Sequence, residues 1–259
     1  MNTPPISSPT IESLLKNRGA WPKAIHGDRA AARANQALTR MIADNYAIFE
    51  KLRDHIIRET EDFTHRRVSE NLPLPEGGQP LFDSLIAHQI IVPKAGGIHV
   101  ADATGRRYLS GGWLEELAWL AAMESGADEA VFGQVLGWEV KGFKGENEID
   151  LIIRRNDHLT FVSCKALRSE LDMADRKLRN RLMDAVHEAD NLVDHFGEQG
   201  ERVAVLVTTD LFDEMKNVPR YNALMGKAAI LDVHVSALED IGWDRLVAAI
   251  GDLHSPKEV

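Results

Sequence analysis

The chain has 259 residues, of which 44% are hydrophobic, and a formal net charge of −10 at pH 7. This length suits one large domain or two small ones, and the apolar fraction is ample for a packed core. A single cysteine excludes an intramolecular disulfide framework, and no apolar run reaches the roughly 18 residues that a membrane span needs. We therefore expect a soluble, cytoplasmic protein. The net negative charge excludes a protein surface that is basic throughout and binds nucleic acid nonspecifically, but it allows a local basic patch.

The N-terminal part of the chain favours helices. Residues 1–30 begin with a polar, proline-bearing stretch and are predicted to be poorly ordered or extended. From about residue 31 to residue 63, apolar residues recur at three- and four-residue spacing, which predicts one long amphipathic helix or two shorter ones. Proline and glycine are frequent from Asn71 to Gly78, which indicates a boundary.

A helix followed by a small hairpin is predicted next. Residues 79–89 favour a helix, and two short apolar segments around Gly96 and Gly97 favour a hairpin, an order that resembles a winged-helix module. Three basic residues could contact phosphates: Lys94, Arg106 and Arg107. The helix itself contains Asp83 and almost no Lys or Arg. We therefore interpret residues 31–108 as a helical, winged-helix-like connector.

The most informative stretch is a second predicted hairpin. Two β-prone segments, Glu148 to Arg154 and Leu159 to Ala166, flank the polar turn formers Arg155 to His158. A turn centred on Asn156 and Asp157 sets which residues of the two strands stand opposite each other, and the side chains of each strand alternate between two faces. One face then carries polar residues, with Asp150 opposite Ser163 and Glu148 opposite Lys165. The other face carries core residues, with Ile149, Leu151 and Ile153 against Cys164, Val162 and Thr160.

Such a polar cluster suits phosphodiester hydrolysis. That reaction needs a cation against the phosphate oxygens and a water deprotonated near neutral pH, and carboxylates are the ligands that hard divalent ions prefer. Asp150 would hold the metal, and Lys165 would orient the water or stabilise developing negative charge. Glu115, at the end of a Gly-Gly-Trp-Leu-Glu stretch, could add a carboxylate from a helix.

Three motifs in this order resemble those of the PD-(D/E)xK nuclease superfamily: Gly-Gly-Trp-Leu-Glu at 111–115, Asn-Glu-Ile-Asp at 147–150 and Ser-Cys-Lys at 163–165. More narrowly, the chain is similar to the nuclease half of CRISPR-associated ancillary nucleases that carry a CARF sensor. The resemblance implies a restriction-endonuclease-like α/β fold, a mixed sheet flanked by helices, over residues 109–259.

The same resemblance implies an activity and partners. It implies an endonuclease dependent on Mg²⁺ or Mn²⁺ that cuts single-stranded DNA or RNA, or nicks duplex DNA, when cyclic oligoadenylate binds the sensor. It also implies a homodimer and a role in antiviral defence. No nucleotide-binding domain is expected before residue 80, so the chain would be stand-alone or truncated, or a separate partner would supply regulation.

The site residues carry over position by position. Glu115 matches the first-helix acid, Asp150 the central aspartate and Lys165 the lysine of the E-x-K element. The backbone carbonyl of Cys164 would be a further metal ligand. Ser163 stands where many superfamily members have glutamate. Glu148, two residues from Asp150, is the candidate replacement ligand and catalytic acid.

Other readings stay open. A catalytically weak or inactive nuclease fold could bind nucleic acid or a partner, because Ser163 supplies no negative charge. The helical N-terminal region could instead be an interaction surface with the α/β domain as its scaffold. Locally, Glu148 and Lys165 could form an ordinary cross-strand ion pair.

The remainder of the chain completes an α/β pattern. Residues 113–124 predict a helix, residues 132–141 contain a strand, and residues 169–196 predict a long helix after the hairpin. Its basic residues could contact a nucleic-acid backbone, although a solvated face interleaved with aspartates is equally compatible. The nucleic-acid-binding candidates are Arg168, Arg176, Lys177 and Arg179. A buried strand at 203–207, a strand at 230–235 and a helix at 237–250 are predicted to follow.

Overall fold

The computed structural model describes residues 8–61, 74–94 and 97–253. The helices in these ranges are α1 (Ile11–Asn17), α2 (Arg29–Asp44), α3 (Tyr46–Glu61), α4 (Gln79–Ala87), α5 (Ala103–Arg107), α6 (Trp113–Glu124), α7 (Arg176–Phe196), α8 (Asn222–Ile230) and α9 (Trp243–Leu253). The strands are β1 (Ala20–Ile25), β2 (Ile91–Lys94), β3 (Gly97–Val100), β4 (Glu129–Val140), β5 (Phe143–Arg155), β6 (His158–Lys165), β7 (Arg202–Val207), β8 (Phe212–Asp213), β9 (Val218–Pro219) and β10 (Val233–Ser236). Across this described part, no helix is long and apolar enough to cross a bilayer.

A six-stranded mixed sheet in the order β1-β4-β5-β6-β7-β10 forms the centre of the fold. Strands β1, β4, β5 and β6 are antiparallel neighbours, whereas β6, β7 and β10 run parallel. Residues 203–207 in β7 are each at most 2% exposed, as expected for an apolar strand covered on both faces. The predicted fold class, a mixed α/β sheet flanked by helices, is confirmed. The predicted order α6-β4-β5-β6-α7-β7 is also observed.

Two hydrophobic cores cover the two faces of this sheet. The first, which we call the α6 core, contains residues of α2, α3, α4, α6 and α9, including Leu38, Leu85 and Trp113. The second, the α7 core, contains residues of α1, α7 and α8. The α6 core joins residues on both sides of position 109, and the α7 core joins Ile11, Leu15 and Ala20 to the sheet and α7. The regions on either side of positions 31 and 109 therefore pack as one body. The domain boundaries at those positions stay predictions.

The N-terminal segment differs from the sequence expectation. Residues 1–7 lie outside the described residues, but Ile11–Asn17 forms α1, capped by Thr10, and β1 pairs with β4 as an edge strand. The following Arg18 donates two hydrogen bonds, of 2.7 and 2.8 Å, to the buried carboxylate of Glu201. This contact comes from a residue far along the chain, so local composition could not indicate it.

The helical pattern of residues 31–63 forms two helices, an alternative that the sequence left open. The break lies at Asn45, which has φ of −130°. It places Tyr46 where its ring stacks on Trp113 at 5.4 Å and its hydroxyl donates to the Leu167 carbonyl at 2.6 Å. The break thereby lets the start of α3 contact the loop that follows β6.

Several predicted boundaries shift. The helix after the hairpin begins at Arg176 rather than at residue 169, because the Asp175 side chain accepts the backbone N–H groups of Lys177 and Leu178 as an N-cap. The final helix begins at Trp243, and β10 begins at Val233, since α8 occupies residues 222–230. The predicted helix and hairpin at residues 79–100 are present as α4, β2 and β3, with residues 95 and 96 outside the described chain.

Candidate active site

The hairpin of β5 and β6 positions Asp150. The predicted register is observed from Arg155 opposite His158 through Leu151 opposite Val162. At the next position, Asp150 Oδ2 accepts the backbone N–H of Cys164 at 2.7 Å and the Ser163 hydroxyl at 3.3 Å. Ser163 is only 3% exposed. The carboxylate of Asp150 is therefore held where the two strands separate.

The prediction of the apolar face of this hairpin is wrong for Ile149. Ile149 packs in the α7 core, whereas Leu151 and Ile153 pack in the α6 core. Gly133, which has φ of +57°, stands opposite Asp150 and interrupts the pairing of β4 with β5 there. This irregularity reverses the alternation of side chains. Only glycine adopts such a left-handed conformation without steric cost.

Arg107 lies between two of the predicted acids. Its Nη2 is 2.6 Å from Glu115 Oε2, in the first turn of α6, and 3.5 Å from Glu148 Oε1. His26 Nδ1 is 3.0 Å from the same Glu148 oxygen. A Cβ atom at Gly133 would come within 2.7 Å of Arg107 Nη2, so the missing side chain at that position leaves space for the guanidinium.

Lys165 is held by two other acids. Its Nζ lies 3.0 Å from Glu188 Oε2 on α7 and 3.8 Å from Asp150 Oδ2. Since Glu148 contacts His26 and Arg107 instead, the cross-strand pair between Glu148 and Lys165 considered from the sequence is not formed within the described chain.

Three residues of this network were not predicted as site residues. The sequence indicates Arg107 only as a phosphate contact of the connector, although it lies four residues before the Gly-Gly-Trp-Leu-Glu motif. Glu188 and His26 carry no local signal, because α7 and β1 reach the site only through the tertiary fold.

Burial and charge shift the pKa values of these groups. Burial raises the pKa of Glu115 to about 7, with Asp150 and Glu148 raising it further and Arg107 opposing them. Burial likewise raises the Asp150 pKa, against the attraction of Lys165. For Lys165, burial lowers the pKa, but Asp150 and the hydrogen bond to Glu188 outweigh it and the net pKa is raised. Burial also raises the pKa of the Cys164 thiol, which keeps it uncharged and unsuited to nucleophilic attack.

The donor atoms suit a divalent cation, but positive side chains already neutralise them. In the part of the chain that the structure describes, no three His, Cys, Asp or Glu side chains are gathered in an arrangement that would hold a metal ion. The Arg107 guanidinium bridges Glu115 and Glu148, and Asp150 is engaged by the Cys164 N–H. Carboxylate oxygens are what Mg²⁺ and Mn²⁺ prefer, so the chemistry of these residues suits such an ion, whereas their spacing in this structure does not form a metal site.

Three of the basic candidates lie on the first turns of α7, away from the part of that helix that reaches the site. Arg176 begins α7 and precedes Glu188 on that helix by about 18 Å, at a rise of 1.5 Å per residue. Lys177 and Arg179 belong to the same first turns, and Arg168 is exposed in the loop before them. The structure therefore separates Arg176, Lys177 and Arg179 from Glu188, the residue of α7 that contacts Lys165. The role of the four basic candidates in nucleic-acid binding stays a prediction.

A cavity of about 630 Å³ opens beside the acidic cluster. One end is formed by hairpin residues, Glu148, Asp150, Ser163 and Lys165, and another wall by the C-terminal half of α7. The predicted catalytic residues of the hairpin therefore face a common space.

The central part of the chain matches a known family. Residues 102–210 match the Card1-like endonuclease domain. This matched segment, about two-fifths of the chain, is similar to the Card1-like endonuclease domain. It contains all the predicted catalytic residues, so the resemblance predicted from the three motifs is confirmed for the endonuclease domain. No curated protein matches the chain.

Solved structures share the fold of the chain. Protein VC1899 from Vibrio cholerae matches with a TM-score of 0.65 at 15% identity, over 95% of this chain and 61% of that chain. Can2 from Sulfobacillus thermosulfidooxidans, solved with cyclic tetra-adenylate, matches with a TM-score of 0.58 at 14% identity, over 93% of this chain and 61% of that chain. The chain thus spans about three-fifths of each of these relatives, and the likeness to them shows the fold alone.

Proposed function

We propose that this protein is a metal-dependent endonuclease that hydrolyses phosphodiester bonds in DNA or RNA. The observation that carries the proposal is the convergence of Glu115, Glu148 and Asp150 beside Lys165, within a Card1-like endonuclease domain. These three carboxylates, with the backbone carbonyl of Cys164, would hold Mg²⁺ or Mn²⁺. A bound divalent cation would neutralise phosphate charge and lower the pKa of a water molecule.

The side chains of the chain have separable roles. Lys165 has a raised pKa and therefore remains a cation that stabilises negative charge on the phosphate, rather than a general base. Ser163 and the Cys164 N–H orient Asp150 by donating hydrogen bonds to it. Glu148 supplies the negative charge that Ser163 lacks.

The biological setting is part of the same proposal. The resemblance to CARF-associated nucleases supports a role in CRISPR-associated antiviral defence, as a homodimer and with a sensor supplied by a further domain or a partner. Because Can2 was solved with cyclic tetra-adenylate, we include that nucleotide as the candidate activator.

A second function is a weak or inactive nuclease fold that binds nucleic acid or a partner. It is favoured by Ser163 and by Arg107, which already neutralises two of the three acids. The two functions differ in whether divalent cations stimulate cleavage.

The test is cleavage of labelled single-stranded DNA, single-stranded RNA and supercoiled plasmid with Mn²⁺, Mg²⁺ or EDTA, with and without cyclic tetra-adenylate. We expect metal-dependent cutting that falls by about 100-fold or more in Asp150→Ala and Lys165→Ala. The control is Asp157→Ala, which removes an exposed acid from the turn of the same hairpin and should retain activity.

Cutting in EDTA, or full activity of Asp150→Ala, would contradict the proposed function. If the wild type cuts nothing under any of these conditions, Ser163→Glu restores the customary acid. Activity gained by that variant would locate the defect in the metal site, and continued inactivity would favour the second function.

A further inference from the structure

The cavity beside the acids extends to an aromatic residue that the proposed chemistry does not use. Trp138 on β4 and Asn147 on β5 line the cavity together with Asp150, and Asn191 and His195 line it from α7. Asn147 precedes Asp150 by three residues, or about 10 Å along a strand. The indole therefore shares a cavity with the acids that would hold a metal ion against the phosphate.

Trp138 is fixed on three sides. It stands opposite Gly145 in the sheet, and a Cβ atom there would overlap the indole, with Cε2 only 2.6 Å away. The indole Nε1 donates to Asn147 Oδ1 at 2.7 Å. The His195 ring meets it at 4.6 Å between centroids and 67° between planes. The ring is thus oriented before any ligand binds, and its polar group is already satisfied.

The chemistry of the cavity suits a nucleobase rather than a phosphate. The lining cation Lys165 is paired with Glu188 at 3.0 Å, and Asp194 adds a negative charge, which disfavours the nucleic-acid backbone in this part of the cavity. Carboxylate and amide oxygens accept hydrogen bonds from the amino groups of bases, and a flat aromatic surface stacks on any base.

We propose that this cavity is a nucleobase-binding subsite, with Trp138 as its stacking platform, and that the substrate carries an unpaired base beside the cleaved phosphate. This rests on the proposed nuclease function for its biological meaning. Single-stranded DNA or RNA satisfies it directly, whereas a paired duplex must first extrude a base at a cost in free energy.

The test measures binding rather than cleavage. In an Asp150→Asn background, fluorescence anisotropy gives the Kd of a labelled single strand and of the same sequence as a blunt duplex, for DNA and for RNA. We expect Trp138→Ala to weaken single-strand binding by about tenfold, Trp138→Phe to restore most of it, and duplex binding to change little. A strand with 2-aminopurine at successive positions should show quenching at one position, lost in Trp138→Ala.

The matched control is Trp243→Ala, on α9 outside the cavity, where the Arg40 guanidinium covers the indole at 3.5 Å. Thermal unfolding of each variant separates lost folding from lost binding. Three results would overturn the inference. Trp138→Ala could bind single strands as tightly as the protein that retains Trp138, it could lose single-strand and duplex affinity equally, or no nucleic acid could bind to either protein. Trp138-dependent binding without cleavage by either the wild type or Ser163→Glu would overturn the nuclease function but not the subsite.

Discussion

Each acid of the site lies beside at least one basic side chain. Glu115 has Arg107 as its partner, Glu148 has His26 and Arg107, and Asp150 lies near Lys165. A guanidinium therefore stands where a divalent cation would need to approach Glu115 and Glu148. Two cations cannot share these carboxylates closely, because like charges repel strongly in a partly buried site.

Arg107 should accordingly compete with the metal. We expect Arg107→Ala to bind Mn²⁺ at least about tenfold more tightly than the wild type, since each tenfold change corresponds to only about 1.4 kcal/mol. Electron paramagnetic resonance titration of free Mn²⁺ at pH 8 measures the affinity of both proteins. The exposed neighbour Arg106→Ala should leave the affinity unchanged. Equal or weaker Mn²⁺ binding by Arg107→Ala would show that the guanidinium does not obstruct the site.

At the scale of single elements, the long hairpin of β4 and β5 depends on two glycines. Gly133 makes room for Arg107 and reverses the side-chain alternation, and Gly145 makes room for the indole of Trp138. Neither role follows from a turn, because both residues lie inside strands, where glycine usually weakens the structure.

Gly145→Ala should therefore displace Trp138. We expect a loss of about 1–3 kcal/mol in the free energy of unfolding, the usual effect of overfilling a packed position, measured by urea denaturation. Gly226→Ala in α8 is the matched control, because a Cβ atom there meets nothing within 4 Å and alanine favours a helix by up to about 1 kcal/mol. A Gly145→Ala protein as stable as the wild type would mean that the indole moves aside freely.

At the scale of the whole molecule, the N-terminal segment is part of the central sheet. Arg18 follows α1, and its guanidinium bonds Glu201, whose side chain is 1% exposed and also accepts the backbone N–H groups of Leu159 and Glu198. One carboxylate thereby joins the N-terminal segment to β6 and to the loop before β7. This argues against treating the first part of the chain as a separable interaction module.

Arg18→Ala should leave Glu201 buried without its cation. We expect it to destabilise the protein by about 3–5 kcal/mol, measured by urea denaturation. Lys16→Ala is the comparison, because its pair with Glu12 is exposed on both sides and should contribute less than about 1 kcal/mol. Similar small losses in both variants would show that α1 and β1 contribute little to the stability of the sheet.

The order of residue types along the chain was enough to predict a large part of the fold. The turn formers at Asn156 and Asp157 and the alternating residues on either side were enough to predict the register that sets Asp150 beside Ser163. The apolar run at 203–207 was enough to predict a strand buried on both faces. The turn, the register and the buried strand depend on residues that are close in sequence, and backbone geometry determines which of those residues come into contact.

Tertiary structure decided the partners of the site residues. Arg107 reaches the acids from α5 and His26 from the residue after β1, whereas Glu188 reaches Lys165 from α7. These contacts replace the ion pair of Glu148 with Lys165 that the sequence left open as an alternative, and the side-chain alternation reverses at Gly133. Spacing within the chain does not encode which helix covers which end of a sheet. The charges around Asp150 are therefore a property of the packed molecule, since residues more than a hundred positions apart supply them.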